Sequence, residues 1–308
     1  RYPPRSMRQG APRVSFGLPV RNGERFLRRA LESLGRQDYS DFEVVIADNQ
    51  SSDATPDIVR EFASEDARFR YIRNETDIGQ IENFNRVLEL SRGPFFRWIG
   101  SDDWVEPSYT GRCVAALEAR SDAVGVTTLW QLVDDEGGVR SREYTGPRVD
   151  SQRRLVRIAR ALRLFQADRL FFDPIYSMLR RSSLEQTGLL PIDRWTDRML
   201  AFELCLLGPF THVHERLASR REAREPVSTR VPRFHQTFHG SKGPPMWTLY
   251  ARLAGIIRHW PMPPAEKAAA LSLVGAFSIR SGALRTRSRV TGAIERRLTP
   301  HASRTPDD

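Results

Sequence analysis

The stretch FEVVIAD (residues 42–48) decides the fold class of this 308-residue chain. Its nearly continuous apolar run predicts a strand covered on both faces, which is typical of parallel sheets. Upstream, RVSFGLPV (13–20) predicts another strand, and GERFLRRALESLG (23–35) predicts a helix with one apolar stripe that stops at Gly35. Strand, helix and strand in this order predict a parallel unit.

Downstream segments continue this alternation. TPDIVREFA (55–63) predicts a helix with Thr55 as its cap and Pro56 in the first helical position. The next predicted elements are the strand FRYIR (69–73), the helix GQIENFNRVLELSRG (79–93) closed by Gly93, and the strand FFRWIG (95–100). The fold class is therefore α/β, with a Rossmann-like, mostly parallel sheet flanked by helices.

The second half of the chain predicts a mixed arrangement. AVGVTTLWQLVDDEGGVR (123–140) indicates a strand and hairpin that turn at DEGG. Helical patterns follow at 151–165, 192–208, 247–259 and 264–280, before an arginine-rich end at 280–298. The sequence shows no P-loop, dinucleotide fingerprint or zinc-protease motif.

Polar residues follow three of the predicted strands. They are Pro19–Arg21–Asn22, Asp48–Asn49 and Asp102–Asp103. Ligands of such sheets bind outside the carboxyl ends of the strands, so these residues predict a binding site along one rim. Turns rich in Asn and Asp are common after strands, and each group alone is weak evidence.

The adjacent carboxylates of Asp102 and Asp103 are the most unusual feature of this rim. Neighbouring negative charges repel each other, and burial increases the repulsion. A Mg²⁺ or Mn²⁺ ion removes the conflict, because it takes carboxylate ligands and completes its shell with water and phosphate oxygens. The alternative is a solvated acidic turn.

The order and spacing of these motifs resemble the catalytic domain of glycosyltransferase family 2, which has the GT-A fold. LPVRNGE (18–24) resembles the first nucleotide-binding loop of that family, ADNQSSDAT (47–55) its aspartate–serine–aspartate loop, and SDD (101–103) its DxD-type motif. The resemblance covers about residues 13–130.

The resemblance implies roles for individual residues. Asp48 would bind the nucleotide base, while Pro19, Val20 and Arg21 would line the base and ribose. Asp102 and Asp103 would hold Mn²⁺ or Mg²⁺ on the diphosphate. The full set of nucleotide-sugar contacts that it implies is Pro19, Val20, Arg21, Asn22, Glu24, Asp48, Asn49, Ser51, Gly79, Asn83, Ser101, Asp102, Arg220 and Arg221.

The segment RWTDRMLAFELCLLGPFTHVHERLASRR (194–221) resembles the acceptor-side helix of the family, which begins with the catalytic base. Asp197 is the matching acid. Independently, helical spacing places Leu200, Ala201, Leu204 and Cys205 on one stripe below it, so Asp197 should face inward. The alternative is an acid in the first turn after a Thr196 cap, where the helix dipole favours negative charge.

Two departures from the family bear on the metal and the leaving group. Many members carry an acid where this chain has Gly100, and relatives often place a histidine where it has Ala223. His235 or His239 could replace that histidine. Without one, Arg220 or Arg221 would stabilise the leaving diphosphate.

The resemblance implies an inverting transferase that moves a sugar from a UDP-sugar to a hydroxyl of a saccharide or lipid-linked acceptor, in cell-surface polysaccharide or glycolipid synthesis. The predicted organisation is a disordered tail (1–12), a catalytic domain (13–228) and a helical basic C-terminal extension (229–308). The catalytic domain would comprise a nucleotide-sugar half (13–130) and a mixed acceptor half (131–228).

Composition adds a hypothesis about location. The net charge is +10, and no run approaches the roughly 20 apolar residues of a membrane-spanning helix. We expect a cytoplasmic protein with two reduced core thiols, Cys113 and Cys205. Residues 245–298, with Trp247, Tyr250 and Trp260, would dock on the inner face of an anionic membrane; the alternative is a pair of helices with a solvated basic face.

Three competing interpretations come from other classes. The first is a degenerate homologue that binds nucleotide without turnover, suggested by Gly100 and Ala223. The second is a non-enzymatic binder of nucleic acid or anionic surfaces. The segment 280–298 lacks the aromatic residues of a nucleic-acid site, so no nucleic-acid partner is expected. The third is a nucleotidyltransferase, which would more often carry an early glycine-rich phosphate loop.

Overall fold

The computed structural model describes residues 10–141, 148–166, 176–221 and 246–298, with the side chains of 140, 141 and 282–298 left out. The chain divides into two compact units, residues 1–243 and 244–308. The predicted tail lies mostly outside the described residues, and so does the predicted boundary at residue 228. Both remain predictions.

Within its described residues, the first unit contains nine strands and seven helices, which alternate strictly only from β1 to β4. The strands are β1 (Val14–Val20), β2 (Phe42–Asp48), β3 (Phe69–Arg73), β4 (Phe95–Trp98), β5 (Trp104–Val105), β6 (Gly125–Val133), β7 (Val139–Ser141), β8 (Met178–Arg180) and β9 (Phe210–Arg221). The helices are α1 (Glu24–Gly35), α2 (Thr55–Glu65), α3 (Gln80–Leu90), α4 (Tyr109–Ala119), α5 (Arg154–Gln166), α6 (Arg181–Leu184) and α7 (Thr196–Leu207).

All nine strands form one sheet in the order β3-β2-β1-β4-β8-β6-β9-β5, and β7 pairs with β6. The first four strands are parallel, as predicted. Beyond them the sheet is mixed, because β8 runs antiparallel to both β4 and β6, whereas β9 runs parallel to β6. The α/β class with a mixed acceptor-side half is confirmed.

Strand β1 is buried along its whole length because helices cover both of its faces. Val14, Phe16 and Leu18 pack in one apolar core with residues of α1 and α4. On the opposite face, Gly17 lies so close to α3 and β4 that a Cβ there would come 2.7 Å from Val87 Cγ2 and 2.6 Å from Phe96 Cζ.

Helix α3 ends at Leu90, earlier than the predicted closure at Gly93. The reason is that the next backbone N–H groups have other acceptors. The N–H of Arg92 donates to Glu43 Oε1 at 2.7 Å, and the N–H of Gly93 donates to Ser15 Oγ at 2.8 Å. These bonds fasten the chain to β1 and β2 before β4 begins.

The segment 194–221 contains both a helix and a strand. Helix α7 ends at Leu207, and after Gly208–Pro209 the chain forms β9, which pairs with β6 from Phe210 to Arg221. The helical pattern predicted at 192–208 is confirmed by α7, whereas the sequence predicted no element for the residues that form β9. Residues 210–221 form a strand because they pair with β6 along their whole length. This pairing joins distant segments, so the local sequence gives no signal for it.

The second unit contains helices α8 (Met246–His259) and α9 (Pro264–Leu298). Helix α9 continues through the arginine-rich end, and none of the described helices is long and apolar enough to cross a membrane. Trp247 is 62% exposed, but Tyr250 is buried and its hydroxyl lies 2.8 Å from Ser281 Oγ. The predicted contribution of Tyr250 to a membrane surface was therefore wrong, because the residue joins the two helices.

The close approach at Gly17 gives a test of the packing. We expect Gly17→Ala to destabilise the first unit by about 1–3 kcal/mol, because the added methyl group overpacks a filled space. Thermal unfolding measures this as a fall in Tm. In the control Gly35→Ala, the new Cβ lies 3.9 Å from Phe69 Cζ and the Tm should not fall. Equal Tm values for the two variants would contradict this packing.

Candidate active site at the carboxyl edge of the sheet

The loops that follow β1 and β2 bind each other at the carboxyl edge of the sheet. The N–H of Asn22 donates to Ser51 Oγ at 2.9 Å, and the N–H of Ser52 donates to Asn22 Oδ1 at 2.9 Å. Asn22 and Gln50 adopt left-handed backbone conformations, with φ of 51° and 60°. Asn tolerates this region better than most residues. These hydrogen bonds join the two loops into one surface.

Helix α2 begins without the predicted cap. Thr55 is the first helical residue, and its Oγ1 accepts the N–H of Gly23 at 2.8 Å. Asp53 Oδ1 accepts the N–H of Thr55, and its Oδ2 accepts the N–H of Glu24. Glu24 Oε2 in turn accepts the N–H of Ala54 at 2.9 Å. The prediction of a Thr55 cap was wrong because this hydroxyl joins the two loops.

Asp48 ends β2 as a fully buried carboxylate. Its Oδ1 accepts the N–H of Ser51, and its Oδ2 accepts the hydroxyl of Tyr71, each at 2.8 Å. Arg73 Nη1 lies 3.5 Å from Oδ2 and supplies the opposite charge. Burial and the neighbouring Asp48 raise the pKa of Tyr71, which keeps its proton for this bond.

An amide cluster continues the edge toward α3. Asn74 Nδ2 donates to the side-chain oxygens of Asn49 at 3.0 Å and Asn83 at 2.9 Å. Asn83 Nδ2 donates to the carbonyl of Ala47, which anchors the cluster to β2. Within the described part of the chain, the buried Oδ1 of Asn74 accepts no hydrogen bond.

Arg21 and Gly79 belong to the outer part of this edge. Arg21 is an exposed side chain that forms an ion pair with Asp77. Gly79 precedes α3 with a φ of 85°, a conformation that favours glycine, and its N–H donates to Asp77 Oδ1. Asp77 therefore connects the start of α3 to the β1 loop. Pro19 and Val20 are buried at the end of β1.

Asp102 and Asp103 occupy a turn between β4 and β5. Asp103 is buried and Asp102 is largely accessible, with 42% of its side chain exposed. Asp103 Oδ1 accepts the N–H of Arg221 at 3.3 Å, whereas its buried Oδ2 accepts no hydrogen bond from the described residues. Burial above all, with a further contribution from Asp102, raises the pKa of Asp103 to about 6, and Arg220 opposes this increase.

Gly100 explains how both carboxylates fit into one turn. A Cβ at this position would come 2.7 Å from Asp103 Oδ2 and 3.1 Å from Asp102 Oδ1. Both carboxylates therefore fold toward the backbone of residue 100. In this turn, the space that an acid would need at position 100 is already taken by the acids at 102 and 103.

The fit of a divalent cation follows from these contacts. The buried Asp103 Oδ2 lacks a donor in the described chain, and an accessible Asp102 carboxylate lies beside it. Two oxygen ligands from the protein, with the rest from water and phosphate, are typical of Mg²⁺ sites. No cluster of three His, Cys, Asp or Glu ligands occurs among the described residues, so the substrate would supply the remaining ligands. The pair fits the implied ion.

Arg221 connects this turn to the hairpin of β6 and β7. Its Nε donates to Asp135 Oδ1 at 2.5 Å and its Nη2 to Asp135 Oδ2 at 2.9 Å, while Nη1 lies 3.7 Å from Asp102 Oδ2. With only 10% of its side chain exposed, Arg221 is held between these two acids. It contributes a fixed positive charge beside the carboxylate pair.

Arg220 points into the sheet, where its guanidinium stacks 3.7 Å from the ring centre of Tyr176 and 5.1 Å from that of Trp130. Its charge acts on two acids, because it lowers the pKa of both Asp103 and Asp197. Arg220 therefore lies near both the candidate metal ligand and the candidate base.

Asp197 is the second residue of α7, above the buried stripe of Leu200, Ala201, Leu204 and Cys205, as predicted. Its Oδ1 accepts the N–H of Arg198 at 2.9 Å. Burial raises the pKa of Asp197, while Arg198 and Arg220 oppose this increase. The alternative Thr196 cap is not formed, because Thr196 is itself helical and its buried Oγ1 has no hydrogen-bond partner in the described ranges.

Sequence reasoning missed several side chains of the site. Tyr71 and Arg73 hold Asp48, Asp77 holds the start of α3, and Asp135 holds Arg221. The contacts of Tyr71, Arg73 and Asp135 join residues at least 22 positions apart, so the sequence gives no local signal for them, whereas Asp77 accepts the N–H of Gly79 only two positions away. His235, His239 and Ala223 lie outside the described residues. Cys113 and Cys205 are buried free thiols, and burial raises the pKa of each to about 12, so neither is a nucleophile.

Known proteins with similar sequences share this architecture. The sequence profile described as Glycosyl transferase family 2 matches residues 15–188. "Putative glycosyltransferase EpsH" of Bacillus subtilis is 38% identical over 114 residues, which are 37% of this chain and 33% of that protein. "GalNAc(5)-diNAcBac-PP-undecaprenol beta-1,3-glucosyltransferase" of Campylobacter jejuni is 26% identical over 136 residues, which are 44% of this chain and 43% of that protein. The chain thus spans less than half the length of these relatives.

Solved structures with lower sequence identity have a similar fold. S. aureus TarS in complex with UDP-GlcNAc superimposes with a TM-score of 0.64 over 84% of this chain and 70% of that chain, at 18% identity. The mannosyltransferase PcManGT from Pyrobaculum calidifontis, in complex with GDP-Man and Mn²⁺, gives 0.52 over 94% and 82%, also at 18% identity. The GT-A fold implied by the resemblance is confirmed.

Asp197 is partly buried, and we expect its ionised carboxylate to lower the free energy of unfolding. Its pKa is raised in the folded state, so at neutral pH the ionised carboxylate opposes folding. We expect Asp197→Asn to raise the Tm at pH 7.5. The rise should be about 2–4 °C for each kcal/mol by which the free energy of unfolding increases. The gain should shrink as the pH falls and Asp197 becomes protonated in the wild type. Thermal melts across this pH range measure it.

Asp193→Asn, four residues earlier and before the helix, is the matched control and should leave the Tm nearly unchanged. A lower Tm for Asp197→Asn at pH 7.5 would show that Asp197 has a stabilising structural role, against this account.

Proposed function

This chain belongs to glycosyl transferase family 2, and we propose that it transfers a sugar from a nucleoside-diphosphate sugar, in the first instance a UDP-sugar, to an acceptor hydroxyl. One observation carries the proposal. The buried Asp48, the Asp102–Asp103 pair and the partly buried Asp197 lie at the ends of β2, β4 and the start of α7, and Arg220 acts on acids of both the second and third groups.

The nucleotide would occupy the surface made by the joined β1 and β2 loops. Asp48 is held by Tyr71 and Arg73 and fixes the end of β2 beside the buried Pro19 and Val20, where the base would bind. The Asn49, Asn74 and Asn83 amides hold the loop after β2 in place behind it. Such preorganisation lowers the entropic cost of binding a planar base.

Asp102 and Asp103 would hold Mn²⁺ or Mg²⁺ at the diphosphate. When bound, this ion neutralises the negative charge that develops on the leaving diphosphate. The complex of the PcManGT neighbour with GDP-Man and Mn²⁺ supports a divalent ion. Arg220 and Arg221 contribute fixed positive charge, which would take the place of the histidine that relatives often carry where this chain has Ala223.

Asp197 would act as the general base in a single displacement. Its carboxylate takes the proton of an acceptor hydroxyl, and that oxygen forms a bond to the anomeric carbon. The bond from this carbon to the diphosphate oxygen breaks on the opposite face, which inverts the configuration. The raised pKa of Asp197 brings it closer to the range in which a base both accepts protons readily and is ionised.

The acceptor would be a saccharide or a lipid-linked sugar, and the pathway synthesis of a cell-surface polysaccharide or glycolipid. The names of the C. jejuni relative and of an M. bovis relative, a "PGL/p-HBAD biosynthesis glycosyltransferase" 35% identical over 107 residues, support this class. Such an acceptor fits the predicted location at the inner face of the membrane. The exposed Trp247 of α8 is the described side chain that supports contact with lipid.

Calorimetric titration of UDP, with and without Mn²⁺, tests the proposal. We expect Mn²⁺ to tighten UDP binding by about tenfold or more, and Asp102→Ala/Asp103→Ala to abolish this dependence because the ion loses its protein ligands. The control Asp57→Ala/Glu61→Ala removes two exposed acids of α2 and the same total charge. It should bind UDP like the wild type.

If Mn²⁺ changed UDP binding neither in the wild type nor in the double variant, the role of Asp102 and Asp103 as metal ligands would be contradicted. Hydrolysis of a UDP-sugar to UDP separates an enzyme from a degenerate homologue. We expect the wild type to hydrolyse the UDP-sugar. The Asp197→Asn variant should lose this hydrolysis but still bind UDP. Binding without any turnover would favour the degenerate interpretation, and failure of UDP, GDP and other nucleoside diphosphates to bind would favour the anionic-surface binder.

A further inference from the structure

The turn between β6 and β7 contains a second pair of adjacent acids, Asp134 and Asp135. Asp134 forms the turn. Its Oδ1 accepts the N–H groups of Glu136 at 3.1 Å and Gly138 at 2.7 Å, and its own N–H donates to the carbonyl of Gly138 at 3.0 Å. An Asp side chain that binds the backbone ahead of it is sufficient to form such a turn. The shape of the hairpin therefore does not explain the second acid.

The carboxylate of Asp135 contacts two other elements of the fold. It accepts hydrogen bonds from Nε and Nη2 of Arg221, at the end of β9, at 2.5 and 2.9 Å. It also lies 3.4 Å from Nη2 of Arg25 in α1. The contact with Arg221 is bidentate, and a bidentate pair fixes both the position and the plane of a guanidinium.

Two further contacts hold Arg221 in this orientation. The ring centre of Phe26 in α1 lies 4.0 Å from its guanidinium, and its backbone N–H donates to Asp103 Oδ1 at 3.3 Å. The third guanidinium nitrogen, Nη1, lies 3.7 Å from Asp102 Oδ2. Arg221 is therefore placed between Asp135 and both acids of the candidate metal pair.

The two carboxylates beside the guanidinium of Arg221 hold it differently. Asp135 accepts at hydrogen-bonding distances, whereas 3.7 Å to Asp102 is longer than an N–H···O bond. The Asp102 oxygens therefore remain available to another partner. If Arg221 moved into direct contact with Asp102, it would occupy an oxygen that a divalent cation needs. Its positive charge would also lie closer to that cation and repel it.

We propose that Asp135 is a positioning residue for metal binding, because it holds the guanidinium of Arg221 away from Asp102. The inference rests on the proposed metal-dependent glycosyl transfer and adds to that site a residue of the β6–β7 hairpin. The same contact keeps the positive charge of Arg221 beside the diphosphate. Removal of the Asp135 carboxylate should allow Arg221 to pair with Asp102 and so weaken binding of the ion.

Titrations of UDP at a series of Mn²⁺ concentrations test this role. The quantity compared is the Mn²⁺ concentration that gives half of the total gain in UDP affinity. We expect Asp135→Asn to raise this concentration about tenfold, because changes to residues that orient metal ligands reduce metal affinity by about this factor or more. The affinity for UDP without Mn²⁺ should not fall, whereas a general disturbance of the fold would lower it too.

A double-mutant cycle tests whether Arg221 transmits the effect. Glutamine at position 221 carries no charge that could pair with Asp102. In an Arg221→Gln background, Asp135→Asn should therefore leave the required Mn²⁺ concentration unchanged. Asp135→Ser is measured in parallel, so that a folding defect of one substitution does not decide the result.

Arg25→Gln is the matched control, because it removes the other described partner of Asp135. It should require the same Mn²⁺ concentration as the wild type. Equal Mn²⁺ requirements in the wild type and in both Asp135 variants overturn the proposal. A tenfold increase that persists in the Arg221→Gln background also overturns it, because Asp135 would then act on the ion without Arg221.

These outcomes separate the inference from the proposed function. If Mn²⁺ does not change UDP binding by the wild type, the metal role of Asp102 and Asp103 and the role of Asp135 are both contradicted. Metal-dependent UDP binding that the Asp135 variants leave unchanged contradicts only the role of Asp135.

Discussion

The parallel pairing of β1 with β2 on one side and β4 on the other is the constraint on which the site depends. In this register Val20 lies beside Asp48, and Gly17 lies beside Trp98, just before the turn of Asp102 and Asp103. All three strands therefore deliver their polar loops to one edge. Gly17 makes this spacing feasible, because any side chain there would meet Phe96 and the Val87 side chain of α3.

Charge is distributed unevenly along this edge of the sheet. This distribution suits the edge to binding a phosphate ester. Asp48 is paired with Arg73 and accepts the hydroxyl of Tyr71, which fixes its position at the end of β2. Asp103 retains a buried oxygen with no donor in the described chain. Arg220 and Arg221 lie beside the pair but bind other groups as well. The edge thus combines fixed positive charge with two carboxylates suited to a hard cation.

Much of this architecture was predictable because it depends on local patterns. Apolar periodicity identified β1 to β4 and α1 to α3 to within a few residues, and the three polar loops followed from the carboxyl-end rule for parallel sheets. Helical spacing placed Asp197 above its buried stripe. These features require only neighbours in sequence.

The features that could not be predicted involve distant partners. Strand β9 forms because residues 210–221 pair with β6, a strand that lies far earlier in the chain. Arg97 is one charged residue in an otherwise apolar strand pattern, and its guanidinium stacks 4.1 Å from the ring centre of Tyr109 in α4, a contact that the strand pattern does not reveal. The predicted cap at Thr55 and the alternative cap at Thr196 are both absent for a related reason. The Thr55 hydroxyl joins two loops from different strands, and the Thr196 hydroxyl is buried within the helix.

A crystal structure of the complex with UDP and Mn²⁺, with anomalous scattering recorded at the manganese edge, tests the central claim most directly. The account predicts one anomalous peak within coordination distance of the Asp102–Asp103 pair and of the diphosphate, with the uracil base beside Asp48. UDP bound at this edge with the manganese peak elsewhere, or UDP bound away from the loops of β1 and β2, would contradict it.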